Sequence, residues 1–452
     1  MFSNKILLWP LGLLCLLALP VAAAEKPTLP AQWTIQQAVR FSLENNPDMK
    51  IAQLRMQAAA SAVTAAQSTY FPLVSLSAGY TRTNNPMYSF GNILTQGQFT
   101  QSIDFNNPGT TDDLNLTAQA QYRLYNGGKD KAGIQAAQDR KNASHYQKEA
   151  VRLRLGFAVV KNFYSIVQAR ENVQARKSSL QAISASLQTA QARFEAGDLL
   201  KADLLNLQVQ QSRASENLIR ARHGLELARR GLLNLLGLQQ QKIRLSTDKQ
   251  TKQAIPQKPS FEHRPELAAL DASISAARAE LRQAQAGKLP TADIFGSYQV
   301  DKGFAYNEGS GNSWMAGVKL NYNLFDGHRT SAAIAGARAM LGQLQQQRHQ
   351  LELAFGYEIQ QAQLALQLAR QRLEVTRNML QQADESARLS RERFKEGVIL
   401  AADLIEVENR LTDARVHNFM ATASRHIAIA ALRKACGLPQ FSATSAMANQ
   451  QQ

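Results

Sequence analysis

Four stretches of the chain alternate apolar with polar residues, and two far longer ones repeat apolar residues every three or four positions. Alternation marks a strand with one greasy and one wet face. It runs through 73–81 (Val74, Leu76, Ala78 and Tyr80 against Ser75, Ser77 and Thr81) and through 114–124 (Leu114, Leu116, Ala118, Ala120, Tyr122 and Leu124 against Asn115, Thr117, Gln119, Gln121 and Arg123). It returns in 292–300 (Ile294, Tyr298 and Val300 against Asp293, Ser297 and Gln299) and in 314–324 (Trp314, Ala316, Val318, Leu320, Tyr322 and Leu324 against Lys319, Asn321 and Asn323). Each run has the roughly 9–11 residues that a tilted strand needs to cross a bilayer. Tyr80, Tyr122, Tyr298, Trp314 and Tyr322 stand toward the ends of the apolar faces, as membrane-interface aromatics do. A soluble hairpin with one wet face satisfies the same alternation.

The four runs form two hairpins, closed by polar loops at 82–113 and 301–313. Each hairpin leads through Asn126-Gly127 or Asp326-Gly327 into a long stretch rich in Ala, Gln, Leu and Arg. No proline falls within 109–255 or 291–438, so these stretches read as long helices. A helix from Gly128 to Phe194 would be about 100 Å long. Its apolar positions Leu180, Ile183, Leu187, Ala190 and Phe194 keep coiled-coil spacing, as do Leu380, Ala383, Ala387, Ser390 and Phe394 in the later stretch. An ordinary bundle core would show the same stripe; the length argues for a rod. Gly197 and Gly397 break the two runs, which makes them helical hairpins with tips near 197 and 397.

The chain contains itself twice. Arg193-Phe194-x-x-Gly197 recurs as Arg393-Phe394-x-x-Gly397, and 193–238 matches 393–438 at 13 positions without a gap. Upstream the offset grows by 18 residues, so the first copy carries a longer loop between Tyr80 and Leu114. The expected units are a first repeat over 25–238 with its β-hairpin at about 72–125, and a linker over 239–263. A second repeat over 264–438, with its β-hairpin at about 290–325, and a flexible tail over 439–452 follow.

Residues 1–24 read as a cleavable signal peptide: Lys5, an apolar run from Ile6 to Leu19, then Val21-Ala22-Ala23-Ala24. Cys15 would leave with it, so only Cys436 stays and no intrachain disulfide forms. The formal net charge of +16 would suggest nucleic acid in a cytosolic chain; in an exported one it reads as a basic, solvated helical surface. No HExxH, P-loop or Gly-x-Ser-x-Gly pattern occurs, and the histidines lack ligand spacing. The reading is of a non-enzyme with no cofactor and no metal.

Four strands cannot close a membrane barrel, whose smallest members have about eight. Several copies must pool their strands, and three would make twelve. The fold class expected is a mixed α/β membrane protein: a 12-stranded β-barrel, four strands per protomer, continued by a long α-helical coiled-coil barrel, with a two-fold internal repeat.

At this point the chain resembles the outer-membrane efflux protein family, the TolC-like channels. Trp33-Thr34-Ile35-Gln36-Gln37-Ala38-Val39 followed by Glu44-Asn45-Asn46-Pro47 is similar to the family's opening motif; the two Arg-Phe-x-x-Gly-x-x-x-x-x-Asp tips match in order and duplication. The resemblance implies a homotrimer in the outer membrane with a periplasmic tunnel, and an equatorial belt from about 239–263 and the C-terminal residues. A periplasmic adaptor (a membrane fusion protein) and an inner-membrane transporter would be its partners. It also implies a gate, an acidic residue six positions after the second tip glycine and another three later, here Asp403 and Glu406, with Asp203 at the equivalent place in the first copy. Where some members lock the tip with a tyrosine and an arginine, this chain has Phe394 and Ile399, so Arg391 or Arg393 would have to serve. Adaptor docking is implied around Gly197, Leu199 and Leu200 and around Gly397, Ile399 and Leu400. The expected function is a passive exit duct for efflux of small toxic molecules or for type I protein secretion. The rivals are a periplasmic coiled-coil scaffold or adaptor, which leaves the strands unexplained, and a nucleic-acid-binding coiled coil, which leaves the signal unexplained.

Overall fold

A computed structural model describes residues 30–241, 243–246, 253–304 and 308–441. The signal peptide and residues 442–452 of the expected tail lie outside the described residues, as does part of the 239–263 linker.

The chain opens with α1 (Ile35–Asn45) and α2 (Pro47–Gln67). Thr34 and Gln37 cap α1 reciprocally, and Asn46 with Pro47 starts α2, so the opening motif is a pair of helix starts. Four antiparallel strands follow in two hairpins: β1 (Leu73–Thr83), β2 (Thr111–Tyr125), β3 (Thr291–Lys302) and β4 (Ser310–Asn321). They form one sheet in the order β1-β2-β3-β4. β1 and β4 are its edges.

The register keeps the two faces apart. Leu76, Ala118, Tyr298 and Trp314 lie in one row on the apolar face, and Ser75 and Gln119 pair on the polar one. The apolar face is bare, with Trp314 78% exposed and Val318 and Leu320 close behind. On the polar face Asp293 pairs with Lys319 in register and takes a 2.9 Å ion pair from Arg123.

The other long helices are α4 (Lys129–Glu195), α5 (Lys201–Leu236), α6 (Pro265–Gln285), α7 (Arg329–Lys395) and α8 (Ala401–Ala435). The rods α4 and α7 have 67 residues each, about 100 Å at the standard rise. Both start on left-handed backbone, at Gly127-Gly128 and Gly327-His328. At Gly127 a side chain would also meet Leu289, its Cβ 2.6 Å away, so glycine is required twice over. Asp326 then caps α7, accepting from the Thr330 backbone N–H at 2.9 Å.

Four expectations change. The long loop at 82–113 is not featureless: it holds a helix, α3 (Pro86–Thr95), started by Asn85, whose side chain accepts from the Met87 N–H. Tyr322 and Leu324 fall beyond β4, because pairing with β3 ends at Asn321. The buried seam of α4 runs through Ser179, Ile183, Ser186 and Ala190, with Leu180 and Leu187 only half-buried. Three of these four seam residues are small. Of the expected tail, Pro439–Phe441 is not loose: Gln440 is buried and holds Gln253 and the Ala430 carbonyl.

The largest buried apolar cluster among the described residues lies at mid-rod, where Trp33, Ile35 and Val39 meet Val159, Val160 and Phe163 of α4, Leu232 and Leu236 of α5, and Ala430 of α8. Ile243 joins it, and a parallel bridge ties Trp33 to Leu245. Beside it His426 stacks on Tyr164 at 4.5 Å and 8°. Burial, then Arg425, holds this imidazole below its ordinary value, and burial pushes the Tyr164 hydroxyl up to about 12. The unfolded chain therefore takes up the histidine proton first as pH falls through about 6.5, and stability drops until the lowered folded value is passed. Thermal melts between about pH 7 and pH 5 should show this decline, and His426→Gln should remove that part of it.

Candidate functional site at the hairpin tips

Both tips are built alike. α4 ends on Gly197 with φ +85° and α7 on Gly397 with φ +78°, and the N–H of Asp198 or Val398 bonds back to the carbonyl of Arg193 or Arg393. This closes each turn within a few residues and launches α5 or α8 antiparallel to its rod.

The two tips are packed together. Phe394, 2% exposed, sits among Ala190, Leu204 and Leu207 of the first hairpin and Ala401 and Leu404 of the second. Phe194, Leu199 and Ile399 close over this cluster. Leu199 and Ile399 thus turn partly inward, while Leu200, Leu400 and Val398 stay exposed. Exposed Leu205 and Val209 extend the outer apolar row along α5, which tip spacing alone did not single out.

At the tips themselves, Arg193 joins the two hairpins. Its Nη1 donates to the Phe394 carbonyl at 3.1 Å and its Nη2 to the Asp198 carbonyl at 3.3 Å, with the guanidinium 5.6 Å from the Phe394 ring. Sequence reasoning passed over it, although its counterpart Arg393 was singled out; Arg393 itself is exposed. Arg391 works within the second hairpin instead. It forks onto the buried Glu408 of α8, with Nη2 to Oε2 at 2.9 Å, and the carboxylate holds the guanidinium above its ordinary value. A further tie between hairpins is Gln210 of α5 to Asn409 of α8, at 2.8 Å.

The acidic positions are near one another on α8 but differ in surroundings. Asp403 lies in the first turn, where Oδ2 accepts from the Leu400 N–H at 3.4 Å. Glu406, one turn on, pairs with Arg410. Asp203 holds the matching first-turn place in α5.

The sequence profile described as "Outer membrane efflux protein" matches residues 38–238 and 260–438, the greater part of the chain. This chain belongs to the outer membrane efflux protein family. As a family member it resides in the outer membrane with its rods extending into the periplasm, and its homologues are efflux channels rather than enzymes. Among curated relatives, Protein CyaE of Bordetella pertussis is 25% identical over 411 residues, covering 89% of this chain and 83% of that one. Outer membrane efflux protein BepC of Brucella suis is 22% identical, over 89% of this chain and 85% of its own length. Among solved structures, the CmeC outer membrane channel of Campylobacter jejuni shares the fold with a TM-score of 0.77 at 18% identity, covering 92% of this chain and 88% of that one. Family members serve tripartite systems together with adaptors and inner-membrane transporters.

Proposed function

We propose that this chain is one of three identical subunits of the exit duct of a tripartite efflux or type I secretion system, a passive conduit that opens at its periplasmic tips. The observation that carries this reading is the four-stranded sheet with two open edges and one bare apolar face. In lipid each open edge leaves a row of backbone groups unsatisfied, so the sheet must be completed by other copies. Three copies supply twelve strands around a polar lumen, and the two structural repeats of each, joined by the 239–263 linker, give the helical tunnel below. A periplasmic scaffold would have no use for that face.

The tip is the gate in this reading. Phe394 and Arg193 hold the two hairpins of a protomer together, and Asp403 with Glu406 brings negative charge to the entrance. Arg410 offsets Glu406 within the protomer, so Asp403 contributes more to the field. The exposed row Leu200, Leu205 and Val209, with Val398 and Leu400, receives the adaptor.

Single-channel recording of the purified mature protein in planar bilayers tests both parts. Cation-selective openings are expected, with divalent-cation block weakened about tenfold or more in Asp403→Ala plus Glu406→Ala. Openings indifferent to the double substitution would discard the gate assignment. Failure of well-folded protein to insert at all would return the chain to the scaffold reading.

A further inference from the structure

The 18-residue excess of the first copy lies between β1 and β2, and the structure shows where it goes. It does not extend away from the sheet. Instead α3 folds back across the strand ends from β2 to β4.

Three contacts fix the face it covers. Asn92 Nδ2 donates to Thr111 Oγ1 at 3.0 Å, and Gln96 Nε2 donates to Asp113 Oδ1 at 3.1 Å. On β4, a Cβ added to Gly311 would lie 1.9 Å from the Thr95 carbonyl oxygen, so the end of α3 occupies the space that a side chain there would need. Thr111, Asp113 and Gly311 all belong to the polar face: Thr111 pairs with Thr83 and Asp113 with Thr81, while Gly311 pairs with Asp301, which in turn faces Asn115. Coverage agrees. Asp113, held by Gln96, and its neighbour Asp301 (1% exposed) are buried at this end of the face, whereas Ser75, Ser77 and Gln119 farther along it are open.

The segment is also ordered within itself. Ser89, Ile93 and Gln96 form the sheet-facing side of α3, each buried, and Ser89 Oγ bonds the Thr83 carbonyl at 3.0 Å. Phe90, Phe99 and Phe105 pack on one another, with Phe90 to Phe105 at 4.6 Å between ring centroids. Met87 and Leu94, on the opposite side of α3, remain exposed.

We infer that residues 84–110 form a constriction inside the outer mouth of the pore, one that sets a size limit on what passes. The inference rests on the pooled-strand reading, in which the polar face lines the lumen. A twelve-stranded barrel with strands about 4.8 Å apart and tilted about 45° is about 26 Å across between backbones. Three inserts, each a helix about 10 Å thick, narrow that mouth to well under half its width. The loop of the second hairpin runs only from 303 to 309, too short for such a helix, so the first copy alone carries this function.

The test uses a single thiol on the polar face beyond the insert, Gln119→Cys in a Cys436→Ser background, in intact cells. Labelling from outside by a small maleimide is compared with labelling by a maleimide bearing a large polyethylene glycol chain. In the full-length chain the large reagent should react at least about tenfold more slowly than the small one, with the difference removed when 86–109 is replaced by a short turn. Asn92→Ala plus Gln96→Ala, which releases the insert and leaves both hairpins whole, should restore much of the fast labelling even if the shortened chain fails to assemble. Equal labelling by the large reagent with and without the insert would overturn the constriction and leave the channel standing. If neither reagent reached Gln119→Cys in assembled, shortened protein, the polar face would not be a lumen, and the channel reading would fall as well.

Discussion

Arg193→Ala is expected to open the duct. Arg193 is the side chain that reaches from one helical hairpin to the backbone of the other, donating to the Phe394 carbonyl while its second arm closes its own turn on Asp198. Hydrogen bonds from a charged donor contribute about 1.5–3 kcal/mol where buried. This guanidinium is half-exposed, so the lower end applies, about 1.5 kcal/mol per copy. If the copies open together, three such losses shift the closed-to-open equilibrium by a factor of about a thousand. Planar-bilayer recording should show long, large openings in place of brief small ones. Arg193→Lys keeps the charge and loses the fork, so it should fall between the two. Wild-type conductance in Arg193→Ala would remove this residue from the gate and leave Phe394 as the main tie. Phe394 packs against both hairpins, so its truncation would disturb folding along with gating.

The largest loss of stability is expected from Arg264→Met. Arg264, 4% exposed, precedes α6 and binds three segments at once. Its Nε and Nη2 fork onto Glu266 at 3.0 Å, and its Nη1 reaches Glu358 of α7 at 3.0 Å and the Lys434 carbonyl of α8 at 3.1 Å. The guanidinium also lies 3.9 Å over the Phe355 ring. Removing one partner from a buried ion pair costs about 3–5 kcal/mol, because the remaining charges are left unpaired in a poor solvent. Glu266 and Glu358 each keep 29% of their side-chain surface, which places the loss nearer about 3 kcal/mol. A fall of several degrees in the thermal midpoint of the assembled protein is the expected readout. A midpoint within a degree of wild type would show that water and Lys434 replace the cation without loss.

Much of this architecture was legible because it rests on period and punctuation. Alternation placed the strands, since a half-buried sheet has no other way to sort its faces, and the proline-free runs placed both rods. Misses came where tertiary contact overrode local pattern. α3 was missed because 82–113 is rich in Asn and Gly, yet Asn85-Pro86 is a sound helix start and the sheet supplies a surface for Ser89, Ile93 and Gln96 to cover. In the α4 seam Ile183 and Ala190 fell where the stripe put them, but packing favoured Ser179 and Ser186 over Leu180 and Leu187. At the tips, motif matching drew the eye to the second copy. It could not show that the arginine bridging the two tips comes from the first, because that depends on two turns 200 residues apart lying side by side.

The open edges of the sheet carry a genetic consequence. In the proposed three-subunit duct, a subunit that supplies a third of the wall cannot be neutral when it is faulty. Were a tip or strand variant co-expressed equally with the normal chain and mixed freely in threes, only about one assembly in eight would contain normal subunits alone. Missense alleles that spare assembly but jam the tip should therefore be dominant, while null alleles of the same gene are recessive.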